Sequence, residues 1–340
     1  MKSIASLFCV MLVVNTISTN ALSKESDAPY LNWSVEQVNQ ISRSIRAGKS
    51  LKPPTWKDGN KVAVLLSFDV DNELVVMTKL KSADEIPAVA MSNAEYGANI
   101  GLHRIVNILK QKNIPATFFI PAMMLEIHPE TINEIRRLKD YEVGVHGWIH
   151  EYNPMVGSYG AEKKLIEDSV EVLTEKFGVK PQGYRAPKWA FSRHTLDVIK
   201  DLDFSYDSSM MARDEPYEIC TQVSSEKITG TGIIELPVSW ILDDYPLLSQ
   251  ASSIYSSPRE VLQVYKDEFD LAYEEGGLFS LAFHPHVIGR RSRILILEKL
   301  IDYIKTKEGV WFATHAQVYD FINEESVVES SCDVYTTTEN

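Results

Sequence analysis

The chain has 340 residues, of which 44% are apolar, enough for a sizeable core, and its length suits either two domains or one large βα barrel. A formal net charge of −13 argues against nucleic acid or an anionic membrane surface as the main partner. Three cysteines are too few for a disulfide scaffold.

Residues 1–23 read as a secretory signal: Lys2, an apolar stretch from Ile4 to Val14, then a small, polar region ending near Ala21 or Ser23. The stretch is short for a bilayer span, and Cys9 lacks the small neighbours of a lipid-acceptor site. The expectation is an exported protein, periplasmic or secreted, with no stable membrane insertion. Residues 24–60 are polar and punctuated by Pro29, Pro53 and Pro54; they are read as an N-terminal arm with one helix over 34–47. Cys220 and Cys332 remain after the signal, and both a disulfide and two inert thiols fit them. The tail, 324–340, is polar.

The barrel is expected over 61–323. Its first strand, Val62–Phe68, ends in Asp69, Asp71 and Glu73. Residues i and i+2 of a strand share a face, so Asp69 and Asp71 converge. Converging buried carboxylates are costly unless a cation or proton shares the site. The alternative is a strand leaving the core into a solvated acidic turn. Residues 74–93 lack periodicity and are read as a long loop over the site.

Strands and helices then alternate. Strands are predicted at 116–120, 142–145, 183–185, 204–206, 232–240, 278–283 and 310–313. Helices are predicted at 101–112, 129–139, 160–177, 192–202, 258–275, 292–307 and 316–323. Residues 213–225 look irregular, and the strand at 232–240 has no helix before it. This order predicts a single parallel (β/α) barrel, distorted or open between its fifth and sixth strands.

Polar residues follow five of these strands: Asp69 and Asp71; His146 and His150; Arg185-Ala-Pro-Lys-Trp189; Asp207-Ser-Ser209; His284-Pro-His286. In a βα barrel they meet at one mouth. The i, i+4 spacing of His146 and His150 puts both imidazoles on one side of a helical turn. With a carboxylate they offer three ligands and an open position for water, zinc being the default metal and cobalt, nickel or iron the alternatives. A solvated or core histidine pair is the plain alternative. Trp189 and Trp240 are candidates for a substrate wall or for core aromatics. His286 is a candidate for substrate contact or for a mere loop position.

The ordered set resembles the polysaccharide deacetylases, carbohydrate esterase family 4, with their NodB-type distorted barrel. Ser67-Phe68-Asp69-Val70-Asp71-Asn72 stands where that family has Thr-Phe-Asp-Asp-Gly, and His146 and His150 match its His-x-x-x-His pair. Arg185, Pro187 and Trp189 match Arg-x-Pro-x-Trp. Asp207, Ser209, Asp214 and Pro216 match the fourth motif, with Glu215 in place of tryptophan. Leu281 and His284 match the fifth. The extra Val70, the missing glycine, the 284–290 stretch and Pro237-Val-Ser-Trp240 look like a subgroup of peptidoglycan-deacetylase-like proteins and cyclic imide hydrolases. A related allantoin-hydrolysing branch is understood to lack the metal, and retention of both histidines argues for one here.

The resemblance implies Asp69 as general base, Asp71, His146 and His150 as metal ligands, and Arg185 as the partner of Asp69. It implies His284 as general acid, with Asp207 holding it. The expected activity is metal-dependent hydrolysis of non-peptide carbon–nitrogen bonds, first of all N-deacetylation of an amino-sugar polymer such as peptidoglycan. The rivals are hydrolysis of a cyclic imide or other small amide, and a catalytically silent glycan-binding barrel. A retaining glycosidase is disfavoured, since carboxylates at i, i+2 project together rather than across a sugar, and the histidine pair would be unexplained.

Overall fold

The computed structural model describes residues 29–222, 227–249, 255–325 and 332. The signal-like segment 1–23 and nearly all of the tail lie outside them. The chain divides into Met1–Ser42 and Arg43–Asn340. In the former, the Ser34 hydroxyl accepts from the Gln37 amide and the Gln37 side chain accepts from the Ser34 amide, a capping box that starts the helix Val35–Arg43. That helix ends four residues short of the expected boundary, because Ile45–Ser50 is drawn into a strand instead.

The larger unit holds a ten-stranded sheet. Its strands are β1 (Ile45–Ser50), β2 (Val62–Asp69), β3 (Ala116–Ile120), β4 (Tyr141–Val145), β5 (Gly183–Tyr184), β6 (Tyr206–Asp207), β7 (Tyr217–Gln222), β8 (Ile228–Glu235), β9 (Leu278–Phe283) and β10 (Val310–Ala313). The ladder runs β1-β7-β8-β6-β5-β4-β3-β2, with β9 and β10 also on β2. Along β2, β10 pairs residues 62–65 and β3 pairs 67–69, while β9 pairs 63–68. The central strands are parallel; β7 is antiparallel to both β1 and β8.

The expected break after the fifth predicted strand is filled, since β6 pairs directly with β8. The apparently irregular 213–225 segment contains β7, a strand recognised only through its two partners. The ladder is open one step later, between β8 and β9, where a single parallel bridge, Asp243 to Ala282, spans the seam.

Strand β2 shows why the sheet carries a site. Val62, Val64, Leu66 and Phe68 belong to the core packed under the helices, whereas Ala63 and Leu65 belong to the inner cluster with Phe119, Tyr206 and Leu236. By this two-residue period, Ser67 and Asp69 also face inward. Helices Leu102–Lys112, Tyr159–Phe177, Pro258–Glu275 and Ile294–Ile304 supply the outer layer.

The stretch read as a loop, 74–93, instead carries helices Leu74–Met77 and Ala88–Tyr96. The second has no readable stripe because Ala94 is its one buried residue. It passes through a wide π turn, Gly97–Gly101, into the next helix. Here the backbone lies against the short helix Pro285–Ile288: a Cβ on Gly97 would overlap the Asn72 side chain, and one on Gly101 the Pro285 carbonyl. Cys220 on β7 is disulfide-bonded to Cys332.

Candidate active site

Asp69 ends β2 and is buried beside Arg185, which follows β5. Arg185 Nη1 donates to Asp69 Oδ1 at 2.7 Å and to Ser67 Oγ at 2.9 Å. Its Nε and Nη2 donate to the carbonyl and hydroxyl of Ser208, and its guanidinium lies 4.0 Å from the Phe119 ring centre. Burial pushes the Asp69 carboxyl up, but Arg185 and the neighbouring imidazoles outweigh it and hold Asp69 below the usual carboxylate range. The remaining oxygen, Oδ2, lies 3.7 Å from His146 Nε2.

His146 and His150 come together by a route other than the expected helical turn. Gly147 has φ +75° and His150 φ +59°, so a left-handed bend brings the imidazoles to 5.1 Å between ring centres. Gly147 is needed for space too, since a Cβ there would meet Pro187 Cγ at 2.8 Å. Asn72 likewise takes a positive φ of 34°, at the place where the first motif departs from glycine.

Asp71, His146 and His150 are buried, with ligand atoms within 4.8 Å of one another. His146 Nδ1 donates to the Arg185 carbonyl at 2.8 Å, which leaves the Nε2 lone pair facing the site. His150 Nε2 is 3.5 Å from Asp71 Oδ2, and Asp71 Oδ1 has no hydrogen-bond partner among the described residues. Burial lowers His146 to about 4 and His150 well below its ordinary value, so both are neutral donors. Burial also raises Asp71 to about 7. Orphaned carboxylate oxygen, neutral imidazoles and donor spacing together fit a divalent metal.

The expected link from Asp207 to His284 is absent. Asp207 accepts from the Ser209 amide and hydroxyl and meets the carboxyl of Glu235 on β8. Two buried carboxyls facing each other share a proton: burial raises Asp207 to about 6 and Glu235 well above its usual range. His284 is held by Asp244, whose Oδ1 accepts from ring Nδ1 at 2.7 Å and from the His284 amide at 3.1 Å. Asp243 Oδ1 lies 3.5 Å from the same nitrogen. Although burial opposes it, Asp71, Asp243 and Asp244 together raise His284 well above the ordinary histidine value. A 2.7 Å contact marks Asp243, Asp244 and His284 as a hydrogen-bonded group rather than a second cation site. The Asp-Asp pair sits on the seam between β8 and β9; no periodic element precedes it, and its acidity after Trp240 was the only available signal.

The reactive groups open into one cavity of about 240 Å³, lined by Asp69, Asp71, His146, His150 and His284 on one side. Trp189 and Trp240 stack at 4.2 Å between centroids on its wall, with Trp240 48% exposed. His286 is buried, its Nδ1 3.6 Å from Asp71 Oδ1. Glu73, the third acid after the apolar run of β2, is buried and pairs with His128 at 2.7 Å. His315 is also inside, its Nδ1 3.1 Å from Thr117 Oγ1 and its Nε2 3.5 Å from Arg185 Nη2.

The family profile described as "Polysaccharide deacetylase" matches residues 87–206. The chain is 30% identical over 283 residues to a peptidoglycan deacetylase of Helicobacter pylori, covering 76% of this chain and 95% of that one. Among solved structures it is similar to one described as a polysaccharide deacetylase from Mycobacterium smegmatis, at 32% identity and a TM-score of 0.73, over 82% of this chain and 96% of the other. An allantoinase shares the fold, at 22% identity and a TM-score of 0.68, over 80% and 94% of the two chains.

Proposed function

We propose that this protein, which belongs to the polysaccharide deacetylase family of carbon–nitrogen hydrolases, is an exported, metal-dependent enzyme that removes acetyl groups from amino sugars of the peptidoglycan type. The observation that carries this reading is the meeting of Asp69–Arg185, the Asp71–His146–His150 group and Asp244–His284 in one cavity. The Cys220–Cys332 disulfide supports an oxidising compartment, and among the described residues no helix is long and apolar enough to cross a membrane.

Asp71, His146 and His150 are the residues suited to hold the metal, zinc by default. A divalent cation there supplies polarisation of the amide carbonyl and lowers the pKa of bound water from ~15.7 toward ~7. Arg185 keeps Asp69 ionised and fixes Oδ1, so Oδ2 is the atom that takes the proton of the attacking water. Asp244 fixes His284 Nδ1, so Nε2 faces the cavity and donates a proton to the leaving nitrogen. A positioned acid of this kind typically contributes roughly 10²–10⁴-fold. Trp189 and Trp240 offer flat apolar surface to a ring, and His286 backs Asp71.

A second reading, hydrolysis of a cyclic imide or similar small amide, is favoured by cavity size: about 240 Å³ lies below the ~300–1,000 Å³ usual for drug-sized ligands. Purified, zinc-loaded protein decides between them. Acetate released from N-acetylated glycan oligomers supports deacetylation, with kcat/KM rising with oligomer length. Inert oligomers alongside ring opening of succinimide-like compounds would replace it with the imide reading.

A further inference from the structure

The cavity contains two cations that the chemistry above does not use. Lys79 follows the helix Leu74–Met77, Lys188 lies between Pro187 and Trp189, and both line the cavity that holds the reactive groups. The acids of that cavity are already engaged: Asp69 with Arg185, Asp71 with the metal-type group, Asp243 beside His284. Neither lysine has an ion pair among the described residues. The Glu151 carboxylate acts on Lys188 only at longer range, since it accepts from the backbone amides of Trp148 and Ile149 at 3.0 and 2.9 Å.

Lys188 is no ordinary surface lysine. It is half-buried, its ammonium sits 5.6 Å from the Tyr152 ring centre, and it takes φ +58° next to Trp189 at φ +51°. Consecutive non-glycine residues in the left-handed region are uncommon, and here they turn both side chains into the cavity wall. Burial first and the charge of Lys79 second depress the Lys188 pKa, the mark of two like charges facing one space. In a chain with 47 acidic residues against 34 basic, two ammonium groups without an ion pair among the described residues stand beside the reaction centre.

We infer that Lys79 and Lys188 bind a carboxylate of the substrate, so that the amide hydrolysed belongs to an anionic molecule. The inference rests on the hydrolase reading but on neither of its two substrate classes. In an amino sugar the carboxylate is an acidic ether substituent on the ring; in a small cyclic amide it is a side chain of the ring.

Matched pairs test it: N-acetylglucosamine against N-acetylmuramic acid, and succinimide against carboxymethylsuccinimide, with zinc-loaded enzyme. The carboxylate member of the hydrolysed pair is expected to have the higher kcat/KM. Lys79→Gln and Lys188→Gln should each reduce that preference about fivefold, as loss of one partly exposed charge contact predicts, and the double variant should erase it. The loss should appear in KM rather than kcat, as for an interaction made equally in ground and transition states. Lys188→Arg should restore it. The preference should also shrink with added salt. A second readout needs neither metal nor turnover: Trp189 and Trp240 fluorescence, titrated with the same four compounds, should report tighter binding of the anionic members in wild type and not in the double variant. Equal use of charged and neutral members, or a preference that survives in the double variant, overturns the inference and leaves the hydrolase reading intact. If none of the four is hydrolysed, the hydrolase reading fails for these classes. The titration then decides alone, and equal binding of charged and neutral members overturns the inference.

Discussion

Strands β2, β3 and β9 have eight, five and six residues and are buried at every position, whereas β5 and β6 have two residues each and lead into the antiparallel β7–β8 pair. Of these, β2 and β9, together with their neighbour β4, lead into Asp69 and Asp71, His284 and His146, which line the cavity, while β3 contributes no lining residue. The short ones lead into groups that hold other groups: Arg185 steadies Asp69, and Asp207 meets Glu235, which ends the eight-residue β8. The contrast separates two physical tasks. Long buried ladders fix where a side chain starts, while irregular ends free backbone and side-chain donors to set its charge and direction.

The largest effect is expected on the long-strand side. Replacing both His146 and His150 by Ala should remove bound metal and reduce turnover more than about a thousandfold, since a metal supplies several kcal/mol. The thermal transition of the apo proteins should move little, because the packed core lies elsewhere. Full metal occupancy by elemental analysis in the double variant would break the assignment. Asp69→Asn should come next, lowering kcat by roughly 10²–10⁴-fold with metal content kept; unchanged turnover would refute Asp69 as the base.

The seam gives a smaller, more specific effect. Asp244 and Asp243 help hold the His284 proton above the ordinary histidine pKa, so the rate should fall on the alkaline side as that proton leaves. Asp244→Asn removes one of those charges and should move the alkaline limb to lower pH, with kcat reduced about tenfold from loss of orientation. A limb that stays in place would transfer the role to Asp243.

The smallest effect belongs to the place where the short β6 meets β8. The Glu235 pKa is raised in the folded chain above its ordinary 4.5, so the native state keeps a proton that the unfolded chain releases as pH rises. This costs no stability below the unfolded value and an increasing amount above it. Glu235→Gln keeps an acceptor for the Ser209 and Met210 amides and gains a donor toward Asp207. Its unfolding free energy from urea titration should exceed that of wild type by about 1 kcal/mol at pH 7 and match it near pH 4. An equal difference at both pH values would show that the pair does not share a proton.

The same division explains what could be read from sequence. An apolar run such as Val62–Phe68, cut off by acid, announces both strand and strand end, so Asp69, Asp71 and the histidine-bearing ends were legible as one mouth. β1 and β7 were not, because edge strands such as Ile45–Ser50 exist only through their partner. The His146–His150 spacing gave the right neighbours with the wrong backbone, since Gly147 and His150 bend left-handed where a helical turn was expected. Asp244 escaped notice because its bond to His284 spans a seam closed by a single bridge, and the nearer motif match, Asp207, is spent on Glu235.

The close approach of Gly97 and Gly101 to the short helix Pro285–Ile288 limits how such a chain can change over generations. A Cβ on Gly97, Gly101 or Gly289 collides with backbone or with Asn72, so a single methyl on that side displaces the residues flanking His284 and His286. That flank resists drift at these three positions, because any residue larger than glycine forces a neighbour to shift. Substitutions are better accommodated at the cavity rim, where Lys79 is exposed, Lys188 half-buried and Trp240 half-exposed. Descendants of one ancestor should accordingly keep the glycine flank and differ at that rim.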